Sequence, residues 1–80
     1  MKKFIIPNWA KEALAEGNRY TFAELFAQKF PKEFKKNKFN IHNYSSWIDF
    51  NKDDNSFTVW TNTGKYFFDT NLECTGEKEY

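Results

Sequence analysis

The apolar residues of this chain change their spacing near Tyr44, and no fold built wholly of helices or wholly of strands accommodates both patterns. Upstream, they recur at the three- and four-residue intervals of a helix with one buried face. Asn8 reads as an N-cap for Trp9 to Glu16, a run of strong helix formers, and Gly17 stands where a left-handed C-cap is expected. Thr21 followed three residues later by Glu24 forms a capping box, with Tyr20 placed to pack on Leu25. The stripe Phe22, Leu25, Phe26 and then Lys29 or Phe30 follows one helix face. Pro31 interrupts it by disfavouring helix at Phe30, and residues 32–37 add a short basic helical turn. Ahead of both helices, residues 3–6 read as a short edge strand stopped by Pro7.

Downstream, Tyr44 to Phe50, Ser56 to Thr61 and Lys65 to Thr70 are rich in aromatic and β-branched residues, with turn residues between them. They read as a three-stranded antiparallel meander. A three-residue connection with Gly64 in the left-handed position of a bulge sets Thr61 opposite Lys65, Val59 opposite Phe67 and Phe57 opposite Asp69. Pairing Phe50 with Phe57 across the first turn sets Ile48 opposite Val59. One sheet face then carries Ile48, Phe50, Phe57, Val59 and Phe67, and the other carries Trp47, Thr58, Trp60, Tyr66 and Phe68. The fold expected is α+β: two short helices packed on a small antiparallel sheet, in the order β-α-α-β-β-β, with a polar tail from Asn71.

A chain of 80 residues buries only about 60% of its unfolded surface, so a single domain over residues 1–80 is expected. Ten Phe, four Tyr and three Trp supply the core that this length would otherwise lack. Cys74 is the sole cysteine, so no intrachain disulfide forms, which fits a reducing cytoplasm. The three apolar residues before Pro7 fall short of a signal-peptide core, and no apolar run reaches the roughly 20 residues of a membrane span.

Few residues suit catalysis. His42 and Cys74 each stand alone, and no pair of Cys or His shows zinc-ligand spacing, so neither an enzyme nor a metal or other cofactor is expected. The turn from Asp49 to Asn55 imitates the first ligand positions of a calcium loop, yet Asp54 stands where the loop needs glycine and Trp60 where it needs glutamate. No glycine-rich phosphate loop is present.

Binding is better served. Residues 1–48 carry nine basic and four acidic side chains (+5), while 49–80 carry three and seven (−4), so the molecule is electrically two-ended. The segment 29–38 holds Lys29, Lys32, Lys35, Lys36 and Lys38 among Phe30 and Phe34, with Phe39 following, a pattern compatible with phosphate contact and base stacking. Arginine, the usual reader of bases, occurs only as Arg19. Helix, turn and helix before a hairpin resemble a winged helix in architecture, although Pro31 and the short basic turn suit a recognition helix poorly.

The aromatic face of Trp47, Trp60, Tyr66 and Phe68 is the favoured docking site, because two short helices cover only one side of the sheet. In its weighting toward Lys, Asn, Phe and Tyr the chain resembles the small accessory proteins of phages and mobile elements, including inhibitors of host defence such as anti-CRISPRs. The absence of catalytic groups motivates the reading of a non-enzymatic protein acting by protein–protein interaction, and the resemblance implies an inhibitor of a host complex. The alternative is a nucleic-acid-binding module, winged-helix-like or a single-strand binder, using Lys32, Lys35, Lys36 and Lys38. A homodimer through the aromatic face is a further arrangement, and no membrane partner is expected.

Overall fold

The structure, a computed structural model, describes residues 4–80. It is an α+β fold in which three α-helices, α1 (Asn8–Ala15), α2 (Arg19–Lys29) and α3 (Pro31–Lys36), precede a 3₁₀ segment (Ile41–Ser46) and four strands. The strands β1 (Ile48–Asn51), β2 (Ser56–Trp60), β3 (Gly64–Phe68) and β4 (Cys74–Glu79) form one antiparallel sheet in sequence order.

Helix α1 ends as its sequence predicts. Gly17 has φ +83°, its N–H reaches the Leu14 carbonyl at 3.0 Å, and the Asn18 N–H reaches the Ala13 carbonyl at 2.9 Å. This is a Schellman closure, and the Phe50 ring lies so close that a Cβ on Gly17 would collide with it. The reversal delivers Asn18 to the head of α2, where its Oδ1 accepts the Thr21 N–H at 3.0 Å. Asn18, rather than Thr21, is therefore the N-cap, and Thr21 is buried within the first turn. Tyr20 packs its ring edge-on against Tyr44, centroids 5.6 Å apart. Nor does Asn8 cap α1: it is the first helical residue, after Pro7, and no side chain caps that end.

Phe22, Leu25 and Phe26 form the buried stripe, and Phe22 stacks on Phe57 of β2 at 4.4 Å. Pro31 opens α3 at a position whose N–H would have no helical partner. The expected N-terminal edge strand is absent from residues 4–6, which have no regular structure; Lys3 lies outside the described residues. Phe4 and Ile6 pack against the core instead. The first meander strand is shorter than expected, since Tyr44 to Ser46 belong to the 3₁₀ segment and β1 starts at Ile48.

The first hairpin has the expected register, Ile48 with Val59 and Phe50 with Phe57. The second is slipped by one residue: Trp60 pairs with Lys65, Val59 with Tyr66 and Phe57 with Phe68. Thr61 is the cause. Its N–H donates to the Gly64 carbonyl at 2.8 Å while its Oγ1 accepts the N–H groups of Thr63 (3.3 Å) and Gly64 (3.2 Å), so Thr61 closes the turn against Gly64 rather than against Lys65. Gly64 accordingly has no positive φ; it is needed for close approach, since a Cβ there would run into the Lys78 carbonyl and lie 2.9 Å from Glu79 Cα.

The expected polar tail is mostly a strand. Residues 69–73 form a compact turn in which Asp69 Oδ1 accepts the N–H groups of Asn71 and Glu73 at 2.8 and 3.1 Å. Leu72, at φ +58°, is fully buried, and its carbonyl accepts Lys29 Nζ at 2.6 Å. Strand β4 then pairs along β3, with a bulge at Phe67 and Phe68.

Candidate functional site

A one-residue slip transfers every side chain of a strand to the opposite face. Tyr66 and Phe68 consequently lie with Val59 and Phe57 beneath the helices, and Phe67 is turned outward. Phe68 is only 6% exposed and Tyr66 is half-buried, lining a cavity beside α3. Trp47 is 5% exposed. Its carbonyl accepts the Trp60 N–H at 2.9 Å, as a ladder residue's would, but its ψ of 1° breaks the strand alternation and turns the indole inward. There it stacks on Phe39 at 4.0 Å and donates Nε1–H to the Asn40 carbonyl at 3.1 Å. Of Trp47, Trp60, Tyr66 and Phe68, only Trp60 therefore belongs to the outer face, where it is 37% exposed.

The outer face carries Asp49, Thr58, Trp60, Lys65, Phe67 and Lys78 by register. Among the described residues no helix packs on it; the helices bury the opposite row of Ile48, Phe57, Val59 and Phe68. Trp60 is held in place: Nε1–H donates to Asp49 Oδ2 at 3.0 Å, and Lys65 Nζ sits 4.8 Å from the ring centroid. The same ammonium lies 5.9 Å from the Phe67 ring. Phe67 in turn covers Gly76 of β4, where a Cβ would stand 3.5 Å from its ring. Phe67 and Lys65 are the outer-face residues that sequence reasoning missed. The hydroxyl of Thr61, able to bond the loop's own N–H groups, was the local signal for the slip. A separate exposed apolar point lies on α1, where Trp9 is 63% exposed.

The basic segment divides by role. Phe30, Phe34 and Phe39 are half-buried and pack against the core. Lys32, Lys35 and Lys36 project from α3 into solvent, followed by exposed Lys38. Among the described residues the single ion pair is Lys29 with Glu73 at 3.6 Å, so these four lysines have no acidic partner. Lys38 occupies φ +56° at the end of α3, where its N–H bonds to the Lys35 carbonyl and the next N–H to that of Phe34. This is the same closure that α1 makes with glycine.

His42 is exposed in the 3₁₀ segment, and the Cys74 thiol, exposed at the start of β4, donates to the Gly76 carbonyl at 3.4 Å. No hydrogen bond joins the two. In the Asp49 to Asn55 turn, Asn51 Oδ1 accepts the Asp53 N–H and Asp54 Oδ1 accepts from Ser56, so these oxygens serve the hairpin. No cluster of three ligating side chains occurs among the described residues, and no helix there is long and apolar enough to cross a membrane. The Tyr20 phenol is raised above its ordinary pKa of 10.0, first by the nearby Glu24 carboxylate and then by desolvation. Folding thus loses stability as pH climbs from 10.0 through that raised value, because the folded state holds the proton longer than the unfolded one.

Comparison with known protein families, curated proteins and solved structures gives no match for this chain.

Proposed function

We propose that this chain is a non-enzymatic binding protein that docks on a protein partner through the outer sheet face around Trp60, Lys65 and Phe67. The observation that carries the reading is Trp60, 37% exposed on a face that no described helix covers and hydrogen-bonded to Asp49. An indole already fixed by Asp49 and Lys65 loses little rotamer entropy on binding, while it offers the large amphipathic area typical of interface hot spots. The opposed charge of the two chain halves steers encounter and orients the complex. The compositional resemblance to phage accessory proteins makes cytoplasmic host complexes, defence assemblies included, the first partners to assay.

The test compares wild type and Trp60→Ala for capture of a host complex, followed by titration of the purified partner. Because Trp60 is 37% exposed, the variant is expected to fold normally and to bind about 30-fold more weakly, equivalent to about 2 kcal/mol. Unaltered affinity in a folded variant defeats the proposal.

A second reading, in which the lysines of α3 contact the phosphates of a nucleic acid, is favoured by Lys38. A side chain in the left-handed region costs about 1 kcal/mol that glycine would avoid, and Lys38 carries an exposed ammonium at such a position. Lys38→Gly is expected to raise unfolding stability by about 0.5–1 kcal/mol while reducing the salt slope of DNA or RNA binding by roughly one unit. Intrinsic tryptophan fluorescence and urea unfolding read the two effects. A stabilised variant with an unchanged slope would leave the sheet face as the binding site.

A further inference from the structure

The helices leave the β3 and β4 side of the sheet incompletely covered, and a cavity of about 290 Å³ opens between α2, α3 and the strands. Five aromatic rings line it: Phe26, Phe30 and Phe39 from the helical half, Tyr66 and Phe68 from β3. Its polar lining comes from Glu33, Asn37, Thr61 and Cys74, and Glu33 is the one charged group among them. The Asn37 side chain is committed to the Glu33 main-chain carbonyl at 2.9 Å, which leaves the carboxylate free; no ion pair engages it among the described residues.

The carboxylate of exposed Glu33 favours a cation at the mouth of the cavity, although Lys32 and Lys36 flank it on α3, and the apolar rings favour a cation that sheds its water cheaply. A quaternary ammonium is such a cation. Its charge is spread over methyl groups that pack against rings, and it has no N–H in need of an acceptor. Phe30 already holds a cation near its ring, with Lys29 Nζ 5.3 Å from the centroid, and that charge is offset by Glu73. Lys36 borders a shallower depression that shares Glu33, Asn37, Thr61 and Tyr66, outside the aromatic lining. The volume accommodates on the order of ten non-hydrogen atoms at about 30 Å³ each, which suits a choline-sized ligand.

We infer that this open cavity is a binding site for a small quaternary alkylammonium compound, with its methyl groups against the aromatic lining and Glu33 balancing its charge. The site lies on the sheet face opposite Trp60 and does not depend on the protein-docking surface.

Cys74, the sole cysteine and part of the cavity lining, makes occupancy measurable. Choline is expected to slow alkylation of Cys74 by iodoacetamide in a saturable manner, and to shift the ring-proton resonances of Tyr66. The neutral isostere 3,3-dimethyl-1-butanol should need roughly tenfold higher concentration for the same protection. Glu33→Gln should weaken choline about tenfold and leave the isostere unchanged. Trp60→Ala should protect like wild type. Equal protection by choline and the isostere, no effect of Glu33→Gln, or neither protection nor Tyr66 shifts at saturating choline would each overturn the assignment.

Discussion

Replacing Phe22 with alanine is expected to cost about 3–5 kcal/mol, the largest single loss available in this fold. Phe22 is fully buried and stacks on Phe57 at 4.4 Å. It also meets Phe26 and Phe68, each with centroids 5.9 Å away, so it joins α2 to both central strands. Truncation removes the contact and leaves a cavity that helix and sheet, tied together by neighbouring rings, cannot collapse to fill. A domain of this size has roughly 4–12 kcal/mol in total, so the variant should be largely unfolded by moderate urea. Urea unfolding followed by near-ultraviolet circular dichroism measures this, and a loss below about 1 kcal/mol would contradict the packing described.

The second large effect is expected at Gly64. An alanine Cβ there meets the Lys78 carbonyl and Glu79 Cα, backbone atoms that cannot rotate away. Relief requires β3 and β4 to separate at that end. Gly64→Ala should therefore cost about 1–3 kcal/mol and release the C-terminal half of β4 first. Amide exchange separates this from general destabilisation: the Lys78 to Tyr80 amides should lose protection ahead of those of β1 and β2. Uniform loss across the sheet would show that the contact is relieved elsewhere.

Local physics made much of the helical half legible. The spacing of Phe22, Leu25 and Phe26 specifies the buried face of α2 whatever surrounds it, and Gly17 specifies a chain reversal that few other residues tolerate. The first hairpin was equally readable, because Phe50 and Phe57 satisfy both alternation and pairing. Strand β4 was not. Its residues Cys74 to Glu79 are mostly charged or small and lack an apolar alternation, since an edge strand is held mainly by ladder hydrogen bonds. Leu72 gave no signal either, as its burial depends on the Asp69 turn and on Lys29 of α2 holding its carbonyl.

The candidate site depended on a smaller choice. At the second hairpin, two loops one residue apart were both compatible with the turn residues, and the two registers present opposite sets of aromatic side chains. Backbone and side-chain bonds from Thr61 to Gly64 select the observed register. Burial then reinforces the choice, since it puts Phe68 against Phe22 and Phe26 and leaves Phe67 to cover Gly76.

What the sequence by itself determined is the α+β class, the inward face of α2, the first hairpin and the positions of the lysines. Each follows from spacing or backbone preference within a few residues. What only the tertiary structure decided is the register of β3, the pairing of β4 and the inward turn of Trp47. With them came which aromatic residues meet solvent and where a cavity remains. The reason is that both faces of this sheet are apolar enough to be buried, so the choice between them is a difference in packing energy across residues far apart in the chain.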